Sequence, residues 1–283
     1  GNKIISIVPS KNETIINTDE ACYGMTFVGP PFTFSFRLLA VNCGAVAKNG
    51  SASVDGSVYW IGKSNFFVYN GTVQELPCSV QYYVFDRMQI RYIDKTYVGH
   101  NKKFNEITWF YVSNENSAGT INPEPDSYVT YNYAENVWTV GSLDRNVWLD
   151  AQGFRNVPFA FDADGRLYDH ESGTSADGSA MNCFVESGEF EIDETGNRTF
   201  LIDKIVPDAT LSEDTNLFVE FKCRKYPNGT EITKGPFTVT STTQKVSTRA
   251  KGRQISFRYS STGVNDDWSL GDFRINTTED SFR

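Results

Sequence analysis

Histidine is nearly missing from this chain, which holds only His100 and His170 among 283 residues. Any imidazole-based acid/base site would have to use one of these two. His100 follows Gly99 in a polar stretch and has no partner nearby in sequence. His170 stands in Tyr168–Asp169–His170–Glu171, where strand geometry sends Asp169 and Glu171 to one face and His170 to the other, so three donors do not converge. Cysteine is sparse too. Cys22, Cys43, Cys78, Cys183 and Cys223 are odd in number and form no CxxC pair. That spacing argues against a zinc site or a disulfide framework and for buried free thiols in a reducing cytoplasm. No apolar run is long enough for a transmembrane helix. A phosphate loop, a GxSxG elbow and the Ser-x-Asp-x-Gly-x-Thr-Trp signature of sialidase propellers are likewise absent.

Positive charge is in deficit, with 26 Lys and Arg against 35 Asp and Glu and a formal net charge of −9. Nucleic-acid binders take most of their affinity from phosphate neutralisation along a basic stripe, and none is present. The nearest approach is Arg249, Lys251, Arg253 and Arg258, whose spacing suits a solvated strand face or salt-bridge partners. Asp162–Ala163–Asp164–Gly165 begins like a calcium loop, but no third oxygen donor or closing Glu follows, and a hairpin turn explains it. The acidic run Glu186, Glu189, Glu191, Asp193 and Glu194 could supply a carboxylate pair for glycoside hydrolysis, yet reads as solvated edge charge. Six Asn-x-Ser/Thr sequons, at Asn12, Asn49, Asn70, Asn197, Asn228 and Asn276, read as turn chemistry in an Asn- and Thr-rich chain rather than as glycosylation sites. These absences predict no catalytic residue, no cofactor, no metal and no enzyme activity.

What the chain does hold is sheet-forming material. Aromatics make up 14% of it, and no stretch of ten or more residues shows helical apolar spacing, so an all-β fold is expected. A unit of apolar strand, polar turn and second strand recurs. One copy runs Ser57–Val58–Tyr59–Trp60–Ile61–Gly62, then Phe66–Phe67–Val68–Tyr69, with Asn70–Gly71 supplying the positive φ angles of a hairpin into Thr72–Leu76. A second runs Ile107–Val112, then Tyr128–Tyr133 and Asn136–Val140. A third runs Val157–Phe161, then Arg166–Asp169, and ends in Asn182–Glu186, while a fainter copy lies at Thr14–Ile16 and Ala21–Met25. Starts near 57, 107 and 157 give a period of roughly 50 residues, as in kelch-type propeller blades. Such blades need neighbours, so three and a half copies, and a chain opening at Gly1 directly before an apparent strand, predict further blades upstream. Trp60, Trp109 and Trp138 lie within apolar strands and read as core, with Trp148 and Trp268 less enclosed.

After about residue 194 the strands alternate more cleanly, as in Phe200–Val206, Leu217–Cys223, Phe237–Thr240, Val246–Ala250, Gln254–Tyr259 and Trp268–Ile275. The expected organisation is therefore blade-like repeats over 1–193 and a sandwich-like or ring-completing sheet over 194–283, with Asn276–Arg283 as an exposed tail.

Several stretches resemble the tail nozzle or stabilisation-type structural proteins of short-tailed, podovirus-like bacteriophages. They include Met25–Phe36 with Asn42–Cys43–Gly44, Gly56–Gly62, Glu75–Val80, Phe104–Tyr111, Tyr131–Asn132–Tyr133 with Val137–Trp138, Leu167–Glu171, Lys251–Gln254 and Trp268–Arg274. The resemblance implies a β-propeller-containing virion protein that self-associates into a ring below the portal and adaptor. It also implies neighbouring tail proteins (adaptor, tail fibre or spike), transient and non-specific passage of viral DNA, and assembly in the host bacterial cytoplasm. A conduit of negative charge would let DNA slide without sticking. The alternative reading is a carbohydrate-binding or depolymerising propeller acting on host surface glycans.

Overall fold

Short apolar runs broken by glycine, asparagine and proline cannot extend a helix, so each turns back on the last as a hairpin. The computed structural model describes residues 1–115, 123–153, 155–193 and 198–279, and the chain divides into two compact units, Gly1–Ser172 and Gly173–Arg283. The fold is all-β, built from small antiparallel sheets.

The first unit holds four blade-like meanders in chain order. Sheet 1 consists of β1 (Ile4–Pro9), β2 (Thr14–Thr18), β3 (Ala21–Gly29) and β4 (Thr33–Val41). Sheet 2 consists of β5 (Ser51–Val54), β6 (Ser57–Ile61), β7 (Phe66–Tyr69) and β8 (Val73–Leu76). A seven-residue helix, α1 (Gln81–Arg87), follows and buries Val84. Sheet 3 consists of β9 (Tyr97–Asn101), β10 (Glu106–Tyr111), β11 (Ser127–Asn132) and β12 (Val137–Ser142), and sheet 4 of β13 (Val147–Leu149), β14 (Phe159–Phe161) and β15 (Leu167–Asp169). The repeat starts read from sequence therefore fall on the second strand of sheets 2, 3 and 4. First strands lie side by side, β1 by β5, β5 by β9 and β9 by β13. The β5–β6 turn places Asp55 and Gly56 at positive φ, as a tight hairpin requires, whereas in the Asn70–Gly71 turn only Gly71 does.

Period-2 alternation gives each interior sheet two apolar faces, and the next sheet covers one of them. Ile15 and Cys22 of sheet 1 pack with Val58, Trp60, Phe67 and Tyr69 of sheet 2. The other side of sheet 2, with Ile61, Phe66 and Val68, packs with Ile107, Trp109, Tyr131 and Trp138 of sheet 3. Phe110, on the far side of sheet 3, meets Trp148 of sheet 4 with the rings tilted and their centroids 5.9 Å apart.

A buried indole must also satisfy its N–H, and each tryptophan in this unit does so outside its own sheet. Trp60 donates to the Cys43 carbonyl at 2.7 Å and Trp109 to the Gly50 carbonyl at 3.0 Å, both in the segment joining sheets 1 and 2. Trp138 donates to the Pro77 carbonyl at 2.8 Å, and Trp148 to the His100 carbonyl at 3.0 Å. The same side chains thus provide both the packing and the polar ties between successive sheets.

The second unit is a sandwich. Strands β16 (Cys183–Glu186) and β17 (Phe190–Glu191) both pair with a later strand, described below. They are followed by β18 (Phe200–Val206), β19 (Ala209–Leu211), β20 (Leu217–Arg224), β21 (Ile232–Val239), β22 (Val246–Gly252), β23 (Gln254–Ser261), β24 (Trp268–Leu270) and β25 (Arg274–Glu279). One sheet runs β16-β23-β20-β21 with β17 also on β23, a second runs β22-β18-β25, and β19 pairs with β24. Leu217, Val219, Phe221, Cys223, Ile255, Phe257 and Tyr259 of the first sheet meet Ile202, Ile205, Val246 and Ala250 of the second. Two sequence expectations differ here. Cys183–Glu186, read as the close of the third blade, pairs with β23, because its register partners Arg258–Ser261 offer an open sheet edge. Asn276–Glu279, read as tail, is the second half of β25 and pairs with β18. The texture change read at residue 194 lies inside this unit, and residues 280–283 lie outside the described ones.

Candidate functional site

Sheet 1 differs from sheets 2 and 3 in having one face without a covering neighbour. In β4 the side chains alternate, and Arg37 turns toward sheet 2, where its Nη2 donates to Glu13 Oε1 at 2.7 Å. Tyr69 of sheet 2 donates to the same carboxylate oxygen. Gly24 lies directly beneath Glu13, and a Cβ at that position would collide with the carboxylate. With Arg37 on the sheet 2 side, where it reaches Glu13, alternation points Phe34, Phe36 and Leu38 to the opposite face. There they register with Phe27, Met25 and Tyr23 of β3, while Ile7 of β1 extends the same face at the other edge. Phe27 is 71% exposed, Phe36 61% and Ile7 60%, and Phe27 meets Phe34 edge to face at 5.9 Å. A contiguous aromatic face of this kind suits packing against another sheet or chain, since monomeric proteins rarely leave one bare. Its rim carries a cavity of 280 Å³ lined by Ser10, Asn12, Glu13, Thr14, Met25, Thr26, Phe27 and Phe34.

A second cluster joins sheets 3 and 4. Glu106 of β10 stands opposite Asn101 of β9, and the Asn101 amide donates to Glu171 Oε1 at 3.3 Å. Burial, then the charge of Glu171, raises the Glu106 carboxyl above the usual carboxylate range; burial raises Glu171 too, opposed by the Lys103 ammonium. Burial and the neighbouring Glu171 charge both favour proton retention on Glu106. Sequence reading missed this pair because its members are distant along the chain, Glu106 belonging to no candidate cluster and Glu171 having been weighed only beside His170.

His170 does not converge with its acidic neighbours. Its Nε2 accepts from Arg145 Nε at 3.0 Å and its ring lies tilted against Trp148, whereas Asp169 pairs with Arg155 and Glu171 turns through positive φ toward Asn101. Burial and the Arg145 charge push the imidazole down to about 4. A base held neutral in the fold stabilises fully above its unfolded value of 6.5, and that stability is lost as the pH falls toward 4. Acidification from pH 7 to pH 4 is therefore expected to cost the first unit about 1–2 kcal/mol through this group, allowing for solvent screening. His170→Gln keeps an acceptor for Arg145 but cannot titrate, so its melting temperature should fall less steeply over that range in calorimetry. His100 is half-buried, 3.4 Å from the Tyr133 hydroxyl and 3.8 Å from Asp150, with burial lowering its pKa and Asp150 opposing.

The other candidates are placed as follows. Asp162–Gly165 is a turn in which Asp162 Oδ1 accepts the Arg166 amide at 2.8 Å. Glu186 binds Lys222 and Arg258, Glu189 binds Arg224, and Glu191 accepts from Gln254, while Glu194 lies outside the described residues. Burial would raise Glu186, but its two cationic partners outweigh that and hold it low. Arg253 lies over the Tyr226 ring and Arg249 is exposed. Of the five free cysteines Cys22, Cys43 and Cys223 are buried and Cys78 half-buried, whereas Cys183, expected inside, is exposed because β16 is an edge strand. Trp268 is half-buried and donates to Ser261 Oγ at 2.9 Å. Among the described residues no group of three or more His, Cys, Asp or Glu could hold a metal ion, and no helix is long and apolar enough to cross a membrane.

No protein-family model matches the sequence, and no curated protein matches it. Solved structures that match include one titled "Glycoside hydrolase", 9% identical with a TM-score of 0.26 over 96% of this chain and 83% of that one. Another is an exo-β-1,3-galactanase from Phanerochaete chrysosporium solved with galactose, 10% identical with a TM-score of 0.16 over 94% of this chain and 69% of that one. The expectation that the chain is not an enzyme is corrected by this comparison, since both matches are titled as enzymes. Similarity this low carries no argument for a particular activity.

Proposed function

We propose that this chain is a structural component of a bacteriophage tail, a nozzle-type subunit whose copies form a ring below the portal and adaptor and a conduit for genome ejection. The observation that carries the reading is the bare aromatic face of sheet 1, a surface suited to docking other subunits. Dense ties between successive sheets suit a part that keeps its shape under load. A net charge of −9 suits a passage that DNA crosses without lodging, although the side-by-side first strands β1, β5, β9 and β13 carry no Asp or Glu themselves. Adaptor and fibre or spike proteins are the neighbours this role requires, within the virion and assembled in the host cytoplasm.

Antibodies to the chain are expected to label the tail below the portal in micrographs of purified particles, and the purified protein should have a native mass several times 31.8 kDa. Absence from particles would discard the reading. One observation favours the glycan-directed alternative, the adjacent carboxyls Glu106 and Glu171 with their raised pKa values. Reducing sugar released from host surface glycan, and lost in Glu106→Gln, would move the function there.

A further inference from the structure

The face of sheet 3 that sheet 4 covers changes character along its strands. At one end Tyr97, Phe110 and Tyr128 stand abreast; at the other the register aligns Asn101, Glu106 and Asn132. Asn132 is engaged, its amide donating to the Phe104 carbonyl at 3.0 Å and its Oδ1 accepting the Ala134 and Glu135 backbone N–H groups. Asn101 is engaged only by half. It is 3% exposed, its Nδ2 donates to Glu171 Oε1 at 3.3 Å, and its Oδ1 is buried with no partner among the described residues. Glu106, directly opposite Asn101, accepts no hydrogen bond and forms no ion pair among the described residues, and the charge that bears on it is that of Glu171. A buried amide oxygen without a donor is costly, and neither carboxylate can supply one, because an ionised carboxylate only accepts. Lys103 acts on Glu171 from a distance, its ammonium lying 4.9 Å from the centre of the Phe104 ring. Three oxygen acceptors from three segments are thus gathered with no cation among them.

We propose that Glu106, Glu171 and Asn101 Oδ1 form a calcium site that ties the end of sheet 4 to sheet 3. All three donors are hard oxygens, two anionic and one neutral, with no nitrogen or sulfur among them. Calcium accepts carboxylate and amide oxygens in flexible geometry and completes its shell with water, whereas magnesium demands a near-ideal octahedron that side chains from three segments suit less well. Glu171, just beyond β15, is exposed, so the site opens to solvent on that side and the ion has a way in. The third ligand is an amide carbonyl, and the site is therefore no group of three His, Cys, Asp or Glu. An ion here would answer the buried Asn101 oxygen and turn the repulsion between the two carboxylates into shared ligation. The site does not depend on the tail reading, because a chain free in solution would bind the ion as well. It does bear on the glycan-directed alternative, since carboxylates that hold a resident cation are not free to donate and accept a proton.

The test melts the full chain by scanning calorimetry at neutral pH in EDTA, in calcium chloride, and in sodium chloride of equal ionic strength. With calcium at about ten times a dissociation constant in the weak range of such sites, on the order of 10⁻⁴–10⁻³ M, the transition of the first unit should rise by about 3–6 °C over EDTA. Glu106→Gln and Glu171→Gln keep the size of the side chain and remove its charge, and each should abolish the rise. Asn101→Asp adds a third anionic donor, so it should melt below the parent in EDTA and gain more from calcium than the parent does. An equal rise in sodium chloride would show screening alone and overturn the proposal. A rise that survives in both glutamine variants would place the ion elsewhere and overturn it too, as would an Asn101→Asp gain no larger than the parent's. A parent chain indifferent to calcium would leave the carboxyl pair holding a proton instead of an ion, and the proposal would fall.

Discussion

Trp109→Ala is expected to destabilise the first unit by about 3–5 kcal/mol, the range for deleting a large buried aromatic. Trp109 is fully buried, its ring 4.9 Å from Phe66 and 6.1 Å from Trp138, and its N–H bound to the Gly50 carbonyl. Truncation opens a cavity between sheets 2 and 3 and takes one of two donors from the Gly50 carbonyl, which keeps the Ile61 amide at 3.3 Å. At about 2–4 °C per kcal/mol for a unit of this size, the transition should fall by about 6–20 °C. Trp109→Phe separates the two effects. It keeps most of the packing and loses the hydrogen bond, so a drop of about 1–3 kcal/mol is expected. Scanning calorimetry of the full chain, with amide exchange read in β10, checks both. Equal stability of Trp109→Ala and the parent would show that the sheets are held by something other than this contact.

Phe221→Ala should have a comparable effect on the sandwich, again about 3–5 kcal/mol. Phe221 is fully buried in β20, edge to face with Phe237 at 5.9 Å and with Phe257 at 5.3 Å, so it links three neighbouring strands of one sheet at the point where the other sheet packs. Peptide-resolved amide exchange should show lost protection in β20 and β23. Phe221→Leu, which retains much of the volume, should lose far less. Unchanged exchange in the alanine variant would contradict the assignment of Phe221 to the centre of this core.

Much of the fold is legible where hydrophobic side chains alternate with polar ones. Leu217–Cys223 announces itself as a strand because one face is buried and the other wet, whereas in Phe200–Val206 a bulge between Ile202 and Lys204 brings Ile202 and Ile205, three apart, into the same core. Ser51–Val54 and Tyr97–Asn101 do not, being short, partly polar and interrupted by small residues. They are strands because of distant partners. Ser51 Oγ lies 2.9 Å from Ser6 Oγ, and the Val98 amide donates to the Asn49 carbonyl. The alternation of Phe34, Phe36 and Leu38 is plain in the sequence, but which side of β4 is left bare follows from Glu13 and Tyr69, which local pattern cannot join to it. Likewise Glu106 stands in no motif and Glu171 draws notice only beside His170, so their meeting where sheet 4 packs on sheet 3 is not written in either neighbourhood.

The indole hydrogen bonds have a bearing on how this protein tolerates change in length. Three of the four acceptors in the first unit, the carbonyls of Cys43, Gly50 and Pro77, belong to connecting segments rather than to strands. Connections are ordinarily where a chain accepts extra residues most cheaply. Here one inserted residue between Val41 and Ser51 would carry a carbonyl out of reach of its tryptophan, so the spacers are as fixed in size as the sheets they join. Room for insertion is left to the distal hairpins, such as those at Gly71 and Gly165, where open space surrounds the turn.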